Sequence, residues 1–282
     1  MKDYCVIYHA KCSDGFGAAW AIWNLLRDQA SYHAAEHGSS PPNCIDGRNV
    51  IIVDFSYTKK ILLNINDKAK SLVVLDHHKS SYEDLHSLDF AHFDMNRSGA
   101  GMAWDHFHGT SRPPLIDYIE DRDLWRWALP DSKEILAAFE CVKPSFENYS
   151  EFNDKLSTEH GRSGIISNGT AILVYKSAKV RSLAEKAYMV DISAICNLDD
   201  PSLQVPCVNT SVFHSEVGNL LAQTHPMAII WYRAEDGSYR HSLRSAGRVD
   251  CSRVARFWGG GGHADASGFT TNDPLPALDR KE

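Results

Sequence analysis

The sequence predicts an α/β protein whose N-terminal domain is doubly wound around a mostly parallel sheet. Three short apolar runs support this fold class, at residues 4–8, 49–53 and 71–75. Each run is rich in aliphatic and β-branched residues, and helical stretches separate one run from the next. This pattern is typical of strands that are buried on both faces of a parallel sheet.

Polar residues follow each apolar run at the point where its strand should end. His9 follows the first run, Asp54 the second, and Asp76-His77-His78 the third. Ligands of open parallel sheets bind just beyond the carboxyl ends of the strands. We therefore expect these side chains to meet in one functional site.

The segments between and after the strands indicate the domain organisation. Helices are expected over 15–27 and 57–69, and the region 96–107 shows a helical pattern through Met102 and Trp104. Mostly helical structure is expected over 132–187, with breaks near Pro144 and His160-Gly161. Short strands at 203–208, 227–232 and 238–243 follow, with helices at 215–222 and 251–258. We expect a catalytic metal-binding domain over 1–165, a helical linker over 166–195, and a smaller mixed α/β substrate-binding domain over 196–282.

Composition limits the classes of function. The formal net charge of −7 offers no general attraction to nucleic acid, so a phosphate substrate must be held by metal ions or local cations. No apolar run is long enough to span a bilayer, and no signal-like region precedes the first strand. The seven cysteines are scattered without a CxxC pair, which argues against a disulfide framework. We expect a reduced, cytoplasmic setting without a membrane partner.

Carboxylates gathered with imidazoles are typical ligands for Mn²⁺ or a similar divalent cation. Two cations about 3.5–4 Å apart can clamp a phosphoryl group and generate a hydroxide that attacks phosphorus. Asp54 is a candidate for the bridging carboxylate because it ends a separate strand beside the other polar residues. His77 is a candidate metal ligand, and His78 a candidate to contact the phosphate or protonate the leaving oxygen.

Five motifs in order carry a resemblance to a known family. They are His9-x-x-Cys12-x-Asp14-Gly15, Val53-Asp54-Phe55, Asp76-His77-His78, Asp121 placed four residues before Trp125, and Gly260-Gly261-Gly262-His263-x-x-Ala266-Ser267-Gly268. They resemble those of the DHH phosphoesterase superfamily, in the branch with a C-terminal DHH-associated domain. RecJ-type exonucleases and oligoribonucleases belong to this branch. The resemblance covers nearly the whole chain.

The resemblance implies roles for individual residues. His9, Asp14, Asp54, His77 and Asp121 would be metal ligands, and Asp76 would support them. Arg244, Gly261, Gly262 and His263 would bind substrate in the associated domain, whose glycine loop exposes backbone N–H groups suited to an anion. The family also implies a preference for Mn²⁺, with one or two ions, and release of mononucleotides from short phosphodiesters.

Two positions in these motifs leave alternatives open. Cys12 stands where many relatives carry an aspartate, so it either acts as a softer ligand that favours Zn²⁺ or Fe²⁺, or does not bind metal. In the acidic segment, Asp121 is favoured over Asp123 as the ligand because of its distance to Trp125. The remaining histidines, His37 among them, show no coherent spacing and are expected to be surface or packing residues.

The most consistent function is a metal-dependent phosphodiesterase that hydrolyses short oligonucleotides or small nucleotides to mononucleotides by attack of metal-bound hydroxide. The acidic balance argues against tight binding of long nucleic acid, which depends on many Lys and Arg contacts. The alternatives are a phosphatase, pyrophosphatase or exopolyphosphatase, a single-strand exonuclease, and a nucleotide-binding regulator with weakened catalysis. The oligomeric state is left open, a homodimer being one alternative.

Overall fold

The computed structural model describes residues 2–109, 111–195, 203–275 and 278 of the 282-residue chain. The chain divides into two compact units, Met1–Val174 and Tyr175–Glu282. Within the described ranges, no helix is both long enough and apolar enough to cross a membrane.

The first unit is built on a parallel sheet. Its strands are β1 (Tyr4–His9), β2 (Ala30–Ala35), β3 (Asn49–Val53), β4 (Ser71–Asp76) and β5 (Ala91–Phe93). They lie in the order β2-β1-β3-β4-β5, and every neighbouring pair is parallel. This order is one of the common doubly wound arrangements, so the predicted fold class is confirmed.

Helices cover both faces of this sheet. They are α1 (Ser13–Leu26), α2 (Lys59–Lys68), α3 (Lys79–Leu85), α4 (Gly99–His108), α5 (Pro114–Asp123), α6 (Ser132–Phe139), α7 (Phe146–Leu156) and α8 (Glu159–Ala184), with a short 3₁₀ helix at Arg27–Gln29. Residues of α1 and α4–α7 form one hydrophobic core with one face of the sheet. Residues of α2 and α3 form a second core on the other face. The apolar strand runs are thus buried on both sides, as their composition indicates.

The second unit contains a mixed sheet. Its strands are β6 (Tyr188–Asp191), β7 (Gln204–Asn209), β8 (Met227–Arg233), β9 (Tyr239–Ser245), β10 (Gly261–Gly262) and β11 (Ala266–Thr271), in the order β10-β11-β9-β8-β7-β6. Only β7 and β8 pair in parallel; the other described neighbours are antiparallel. The helices are α9 (His214–Ala222) and α10 (Cys251–Phe257), with a 3₁₀ helix at Ile192–Ala194.

Most of the predicted elements are present with small shifts at their ends, and the break predicted near His160-Gly161 lies two residues earlier than His160. Helix α8 begins at Glu159, so both residues lie inside its first turn, and the chain is non-helical at Ser157-Thr158 instead. The Thr158 hydroxyl accepts a hydrogen bond from the Gly161 amide (3.2 Å) and so caps the new helix. Strands β2, β5, β6, β10 and β11 were not predicted. Helix α8 also contains the division between the two units.

Candidate metal centre

The site lies at the topological switch point of the first sheet. There, the connections from two neighbouring strands run to opposite sides. Strands β1 and β3 are neighbours, but α1, which follows β1, packs on one face and α2, which follows β3, packs on the other. Such a switch point leaves a crevice at the carboxyl ends of the two strands. His9 ends β1 and Asp54 follows β3, so both candidate ligands border this crevice.

His77 is the residue around which three carboxylates gather. Its Nε2 atom lies 3.0 Å from Oδ1 of Asp54, 3.6 Å from Oδ2 of Asp14 and 3.6 Å from Oδ2 of Asp123. The side chains of His77, Asp14 and Asp54 are each 1% exposed, while that of Asp123 is 23% exposed. Ligand atoms of Asp14, His77 and Asp123 all lie within 4.8 Å of one another, which is compatible with a single cation between them.

A second donor group adjoins the first through Asp54. Ligand atoms of His9, Cys12 and Asp54 also lie within 4.8 Å of one another. Nδ1 of His9 is 3.5 Å from Oδ2 of Asp54, whereas Oδ1 of the same carboxylate faces His77. Asp54 therefore presents one oxygen to each group, which is the arrangement that a carboxylate bridging two cations requires.

The close packing at Asp54 depends on a glycine. Asp54 has a φ of 53°, a left-handed backbone conformation that aspartate tolerates better than most residues. A Cβ added to Gly99 would lie 2.4 Å from Cβ and 2.9 Å from Cα of Asp54. The start of α4 can approach Asp54 this closely only because residue 99 has no side chain.

Asp14 connects the donor cluster to the N-terminus of α4. Its Oδ2 accepts a hydrogen bond from the Gly99 amide (2.6 Å), and its Oδ1 accepts one from the Ala100 amide (2.9 Å). Amide groups at a helix N-terminus stabilise a negative charge. These two bonds fix the orientation of the Asp14 carboxylate beside His77.

Asp76 orients the two histidines that follow it. Its Oδ1 accepts hydrogen bonds from the amides of His77 (2.8 Å) and His78 (3.2 Å) and lies 2.6 Å from Nδ1 of His78. Its Oδ2 accepts a hydrogen bond from the Ser56 hydroxyl (2.6 Å). Asp76 is completely buried, and its contacts are those of a residue that supports its neighbours. Burial opposes protonation of His78, but the Asp76 carboxylate raises its pKa above the ordinary value.

The structure places Asp123, and not Asp121, beside His77. The Asp121 carboxylate accepts hydrogen bonds from the Ala128 amide (2.8 Å) and the Ser132 hydroxyl (2.5 Å). It thereby links the end of α5 to Ala128, which precedes α6, and to Ser132, the first residue of α6. Asp123, two residues on, directs Oδ2 towards Nε2 of His77 instead.

His37 also lies at this cluster, although no spacing pattern in the sequence selects it. Its ring centroid is 5.5 Å from that of His9 and 6.3 Å from that of His78, and it packs 5.2 Å from the Phe55 ring. The residue stands in the turn after β2 and is exposed to solvent. No spacing signal marks it, because β2 is itself a strand that the apolar pattern does not reveal.

The electrostatics of the cluster favour a bound cation. Burial, together with the carboxylates of Asp123 and Asp54, raises the pKa of Asp14 well above its ordinary value. Burial also raises the pKa of Asp123, and the charge on Asp54 adds to this. For Asp54 burial acts in the same direction, but the imidazoles of His77 and His9 hold its pKa well below the ordinary value. Carboxylates crowded in this way ionise together more readily when a cation neutralises them.

Three buried polar atoms provide a direct test of whether a metal fits. Nδ1 of His9, Oδ2 of Asp54 and Oδ2 of Asp123 make no hydrogen bond to any described residue. Buried polar atoms are nearly always satisfied, and each of these is a good donor to a divalent cation. The residues therefore fit the divalent metal that the sequence implies.

The remaining predicted residues lie in the second unit. Arg244 stands on β9, where its guanidinium donates to the Ser215 hydroxyl (2.7 Å). Gly261 and Gly262 form β10, and His263 follows in the turn to β11, where its amide donates to the Ala266 carbonyl (2.8 Å). Because Ala266 pairs with Arg244 across the β11-β9 ladder, the glycine turn and the arginine lie at the same end of this sheet.

Proteins similar to this chain in sequence include a viral protein and a bacterial oligoribonuclease. No protein-family model matches the chain. An uncharacterised protein of Acanthamoeba polyphaga mimivirus is 30% identical over 288 aligned positions, which cover 94% of this chain and 66% of the viral protein. The oligoribonuclease NrnB of Bacillus subtilis is 40% identical over 75 residues, 26% of this chain and 19% of that protein. The chain thus spans less than two thirds of the length of both relatives.

Among solved structures, the pGpG-specific phosphodiesterase PggH from Vibrio cholerae is similar to this chain with 14% sequence identity and a TM-score of 0.46, covering 95% of this chain and 92% of that one. The doubly wound sheet and its cluster of carboxylates and imidazoles define an α/β protein with a candidate metal centre at the switch point. The local identity to NrnB agrees with the resemblance of the five ordered motifs to those of the DHH phosphoesterase superfamily.

Proposed function

We propose that the protein is a divalent-metal-dependent phosphodiesterase that hydrolyses short oligonucleotides or small nucleotides to mononucleotides. The observation that carries this proposal is the position of Asp54, whose two oxygens face two separate groups of metal-binding side chains. Paired divalent cations suit phosphoryl transfer, because they can neutralise charge on both the attacking and the leaving oxygen.

We assign one metal position to His9, Cys12 and Asp54, and the other to Asp14, Asp54, His77 and Asp123. A divalent cation bound there would lower the pKa of water and reduce the charge on phosphate. The second group contains hard carboxylates and one imidazole, which favours Mn²⁺. Cys12 makes the first group softer, so this position is the one expected to accept Zn²⁺ or Fe²⁺.

His78 and Asp76 are assigned to the reaction without direct metal binding. The 2.6 Å contact between Asp76 and Nδ1 of His78 fixes the ring, so a proton given to the leaving oxygen would be carried on Nε2. In the second unit, we assign Arg244 and His263 to the substrate's phosphate or sugar, with the backbone of Gly261 and Gly262 as further donors.

Short substrates agree with the charge of the molecule. Tight binding of a long strand rests on many contacts from Lys and Arg to phosphates, and the chain has a formal net charge of −7. A dinucleotide or trinucleotide needs far fewer such contacts, and the cations of the centre supply part of the attraction.

The direct test is release of mononucleotides from a 5′-phosphorylated diribonucleotide in Mn²⁺. We expect turnover by the native protein and a loss of roughly 1,000-fold in Asp54→Asn, since the bridging charge supplies several kcal/mol of stabilisation. Asp67→Asn is the matched control, because it removes the same charge from an exposed position of α2. Equal rates in native protein and Asp54→Asn would overturn the assignment of the centre.

The same assay separates this proposal from its alternatives. Pyrophosphate, polyphosphate and 3′-phosphoadenosine 5′-phosphate are tested beside the diribonucleotide at equal concentration. Faster turnover of a P–O–P substrate or of a terminal phosphate would replace the phosphodiesterase assignment. Binding of a nucleotide that persists intact in Mn²⁺ would instead identify a regulator.

A further inference from the structure

We propose that Cys5, His33 and Cys44 form a second metal site, specific for a soft divalent cation such as Zn²⁺ and separate from the candidate centre. Sγ of Cys5 lies 2.8 Å from Sγ of Cys44, and Sγ of Cys44 lies 3.1 Å from Nε2 of His33. The three ligand atoms lie within 4.8 Å of one another.

The topology of the sheet brings these residues together. Cys5 on β1 pairs with Ser31 on β2, and His33 is two residues further along β2. Residues two apart on a strand point to the same face, so Cys5 and His33 project from one side of the sheet. Cys44 reaches them from the segment between β2 and β3. Because Cys5 precedes His9 by four residues on β1, this cluster lies roughly 13 Å from the end of the strand where the candidate centre is found.

Two thiols and one imidazole define the class of ligand. Thiolate and imidazole are the preferred ligands of Zn²⁺, with distances of about 2.3 Å to sulfur and about 2.0–2.1 Å to nitrogen. A tetrahedral ion with these bonds places its ligand atoms roughly 3.5 Å apart, so the sulfur atoms must separate by less than about 1 Å. Cys44 lies outside the sheet, and this gives it room to make that adjustment.

Charge balance also favours a dication. The cluster adjoins the hydrophobic core on the α2 side of the sheet, where a separate thiolate would be costly. Burial and the neighbouring Cys44 raise the pKa of Cys5 to about 12. One dication with two thiolates and a neutral imidazole has no net charge, so metal binding releases two protons to solvent and leaves a neutral complex.

His33 is ready to act as a ligand, and the site is accessible. Burial, assisted by the positive charges of Arg48 and Lys2, lowers the pKa of His33, which favours the neutral form that can bind a metal. Both His33 and Cys44 are only partly buried, which provides an entry path for the ion. Three protein ligands leave the fourth tetrahedral position to water.

Metal binding here would restrain the segment between β2 and β3. This segment, residues 36–48, carries His37 beside the candidate centre near its beginning and Cys44 near its end. The backbone hydrogen bonds within it are local, such as those from Ser39 to Glu36 (2.9 Å) and from Arg48 to Ile45 (3.1 Å). A cation that links Cys44 to β1 and β2 would add a cross-link to this segment.

The test uses Co²⁺ as a spectroscopic substitute for Zn²⁺ in the reduced, metal-free, full-length protein. Cys12→Ser is introduced first, because it removes the thiol of the candidate centre. We expect a thiolate-to-cobalt charge-transfer band in this variant, a tetrahedral cobalt spectrum, and displacement of the band by Zn²⁺. Adding Cys44→Ser should abolish the band or weaken Co²⁺ binding by about 100-fold or more.

Cys141→Ser is the matched control, since Cys141 is an exposed free cysteine, and its addition should leave the band unchanged. If Cys44→Ser fails to fold, His33→Gln tests the same site and should shift the band and weaken binding. Absence of a thiolate band in Cys12→Ser overturns the proposal, as does a band that survives both Cys44→Ser and His33→Gln. Isolation of a Cys5–Cys44 disulfide whose reduced form binds no Co²⁺ or Zn²⁺ also overturns it.

Discussion

Nε2 of His77 lies 3.0 Å from Oδ1 of Asp54, and both side chains are 1% exposed. A contact this short between buried groups is strong, because water does not compete for either partner. It joins the end of β3 to the residue that follows β4. The two strands are neighbours in the sheet, so the contact depends on their parallel register and on the left-handed backbone of Asp54.

The different surroundings of Asp121 and Asp123 predict different consequences of the same substitution. Asp123→Asn should weaken Mn²⁺ binding at least about tenfold while leaving the free energy of unfolding nearly unchanged. Asp121→Asn should lower the free energy of unfolding by about 2 kcal/mol, because the charge-assisted hydrogen bonds from Ala128 and Ser132 are weakened. Titration calorimetry and urea unfolding measure the two effects. Weaker Mn²⁺ binding in Asp121→Asn, with lower stability in Asp123→Asn, would instead assign Asp121 as the ligand.

The close approach at Gly99 predicts that a single methyl group disturbs the centre. In Gly99→Ala the new Cβ would collide with Cα and Cβ of Asp54, so α4 must move and the unfolding free energy should fall by about 1–3 kcal/mol. Mn²⁺ affinity should fall with it, since Asp14 loses its alignment to the Gly99 amide. Gly164→Ala is the control.

Gly164 lies in helix α8, and a Cβ there meets no atom within 4 Å. Alanine should therefore stabilise the helix by about 1 kcal/mol and leave Mn²⁺ binding unchanged. If Gly99→Ala and the native protein had equal thermal stability and equal Mn²⁺ affinity, α4 would not be tightly packed against Asp54.

The position of His37 predicts a role in turnover. We expect His37→Ala to lower kcat/KM for the diribonucleotide by about 10- to 100-fold, which corresponds to one lost hydrogen bond to a charged phosphate. Its metal content and melting temperature should match those of the native protein, because the residue is exposed. His160→Ala, which removes an exposed imidazole from the start of α8, should leave turnover unchanged. Full activity of His37→Ala would show that this histidine takes no part in turnover.

The buried ring of His241 predicts a loss of stability in acid. Its ring stacks on Phe269 with centroids 4.4 Å apart, it is 3% exposed, and neither ring nitrogen has a hydrogen-bond partner among the described residues. Burial lowers the pKa of His241 from 6.5 to about 4. Between these two values the unfolded chain binds a proton that the folded chain does not, so stability falls as the pH falls from 6.5 to 4, by about 3 kcal/mol in total.

His241→Phe tests this, because phenylalanine retains the stacked ring but cannot be protonated. The difference in unfolding free energy between native protein and variant should grow by about 3 kcal/mol in favour of the variant as the pH falls from 7 to 4. Urea titrations at several pH values measure it. A difference that stays constant with pH would mean that His241 is hydrated in the folded protein.

Much of the first sheet was predictable because three of its strands are buried on both faces and therefore apolar throughout. Strand β2 escaped prediction for the opposite reason. It lies at the sheet edge, and its sequence Ala-Ser-Tyr-His-Ala-Ala is only partly buried and not continuously apolar. Strand β5 has three residues, too few to show a period. His37 and the Cys5–His33–Cys44 cluster both depend on β2, so neither could be predicted from the sequence pattern.

The residues of the candidate centre were also only partly predictable from the sequence. His9, Asp54 and His77 were found because each follows an apolar strand directly. Asp121 and Asp123 stand two residues apart at the end of α5. The Asp121 side chain accepts a hydrogen bond from Ser132 of α6, whereas the Asp123 side chain lies beside His77. Those partners are distant in sequence, so spacing within the motif does not distinguish the two.

The hydrogen bonds from Gly99 and Ala100 to Asp14 have a practical consequence. An amide proton that donates to a carboxylate changes its chemical shift when the charge on that carboxylate is shared with another ion. These two amides are therefore built-in reporters for the centre, observable by nuclear magnetic resonance with a diamagnetic ion such as Mg²⁺ or Zn²⁺. They would register occupancy of one metal position in a protein to which no substrate has been added.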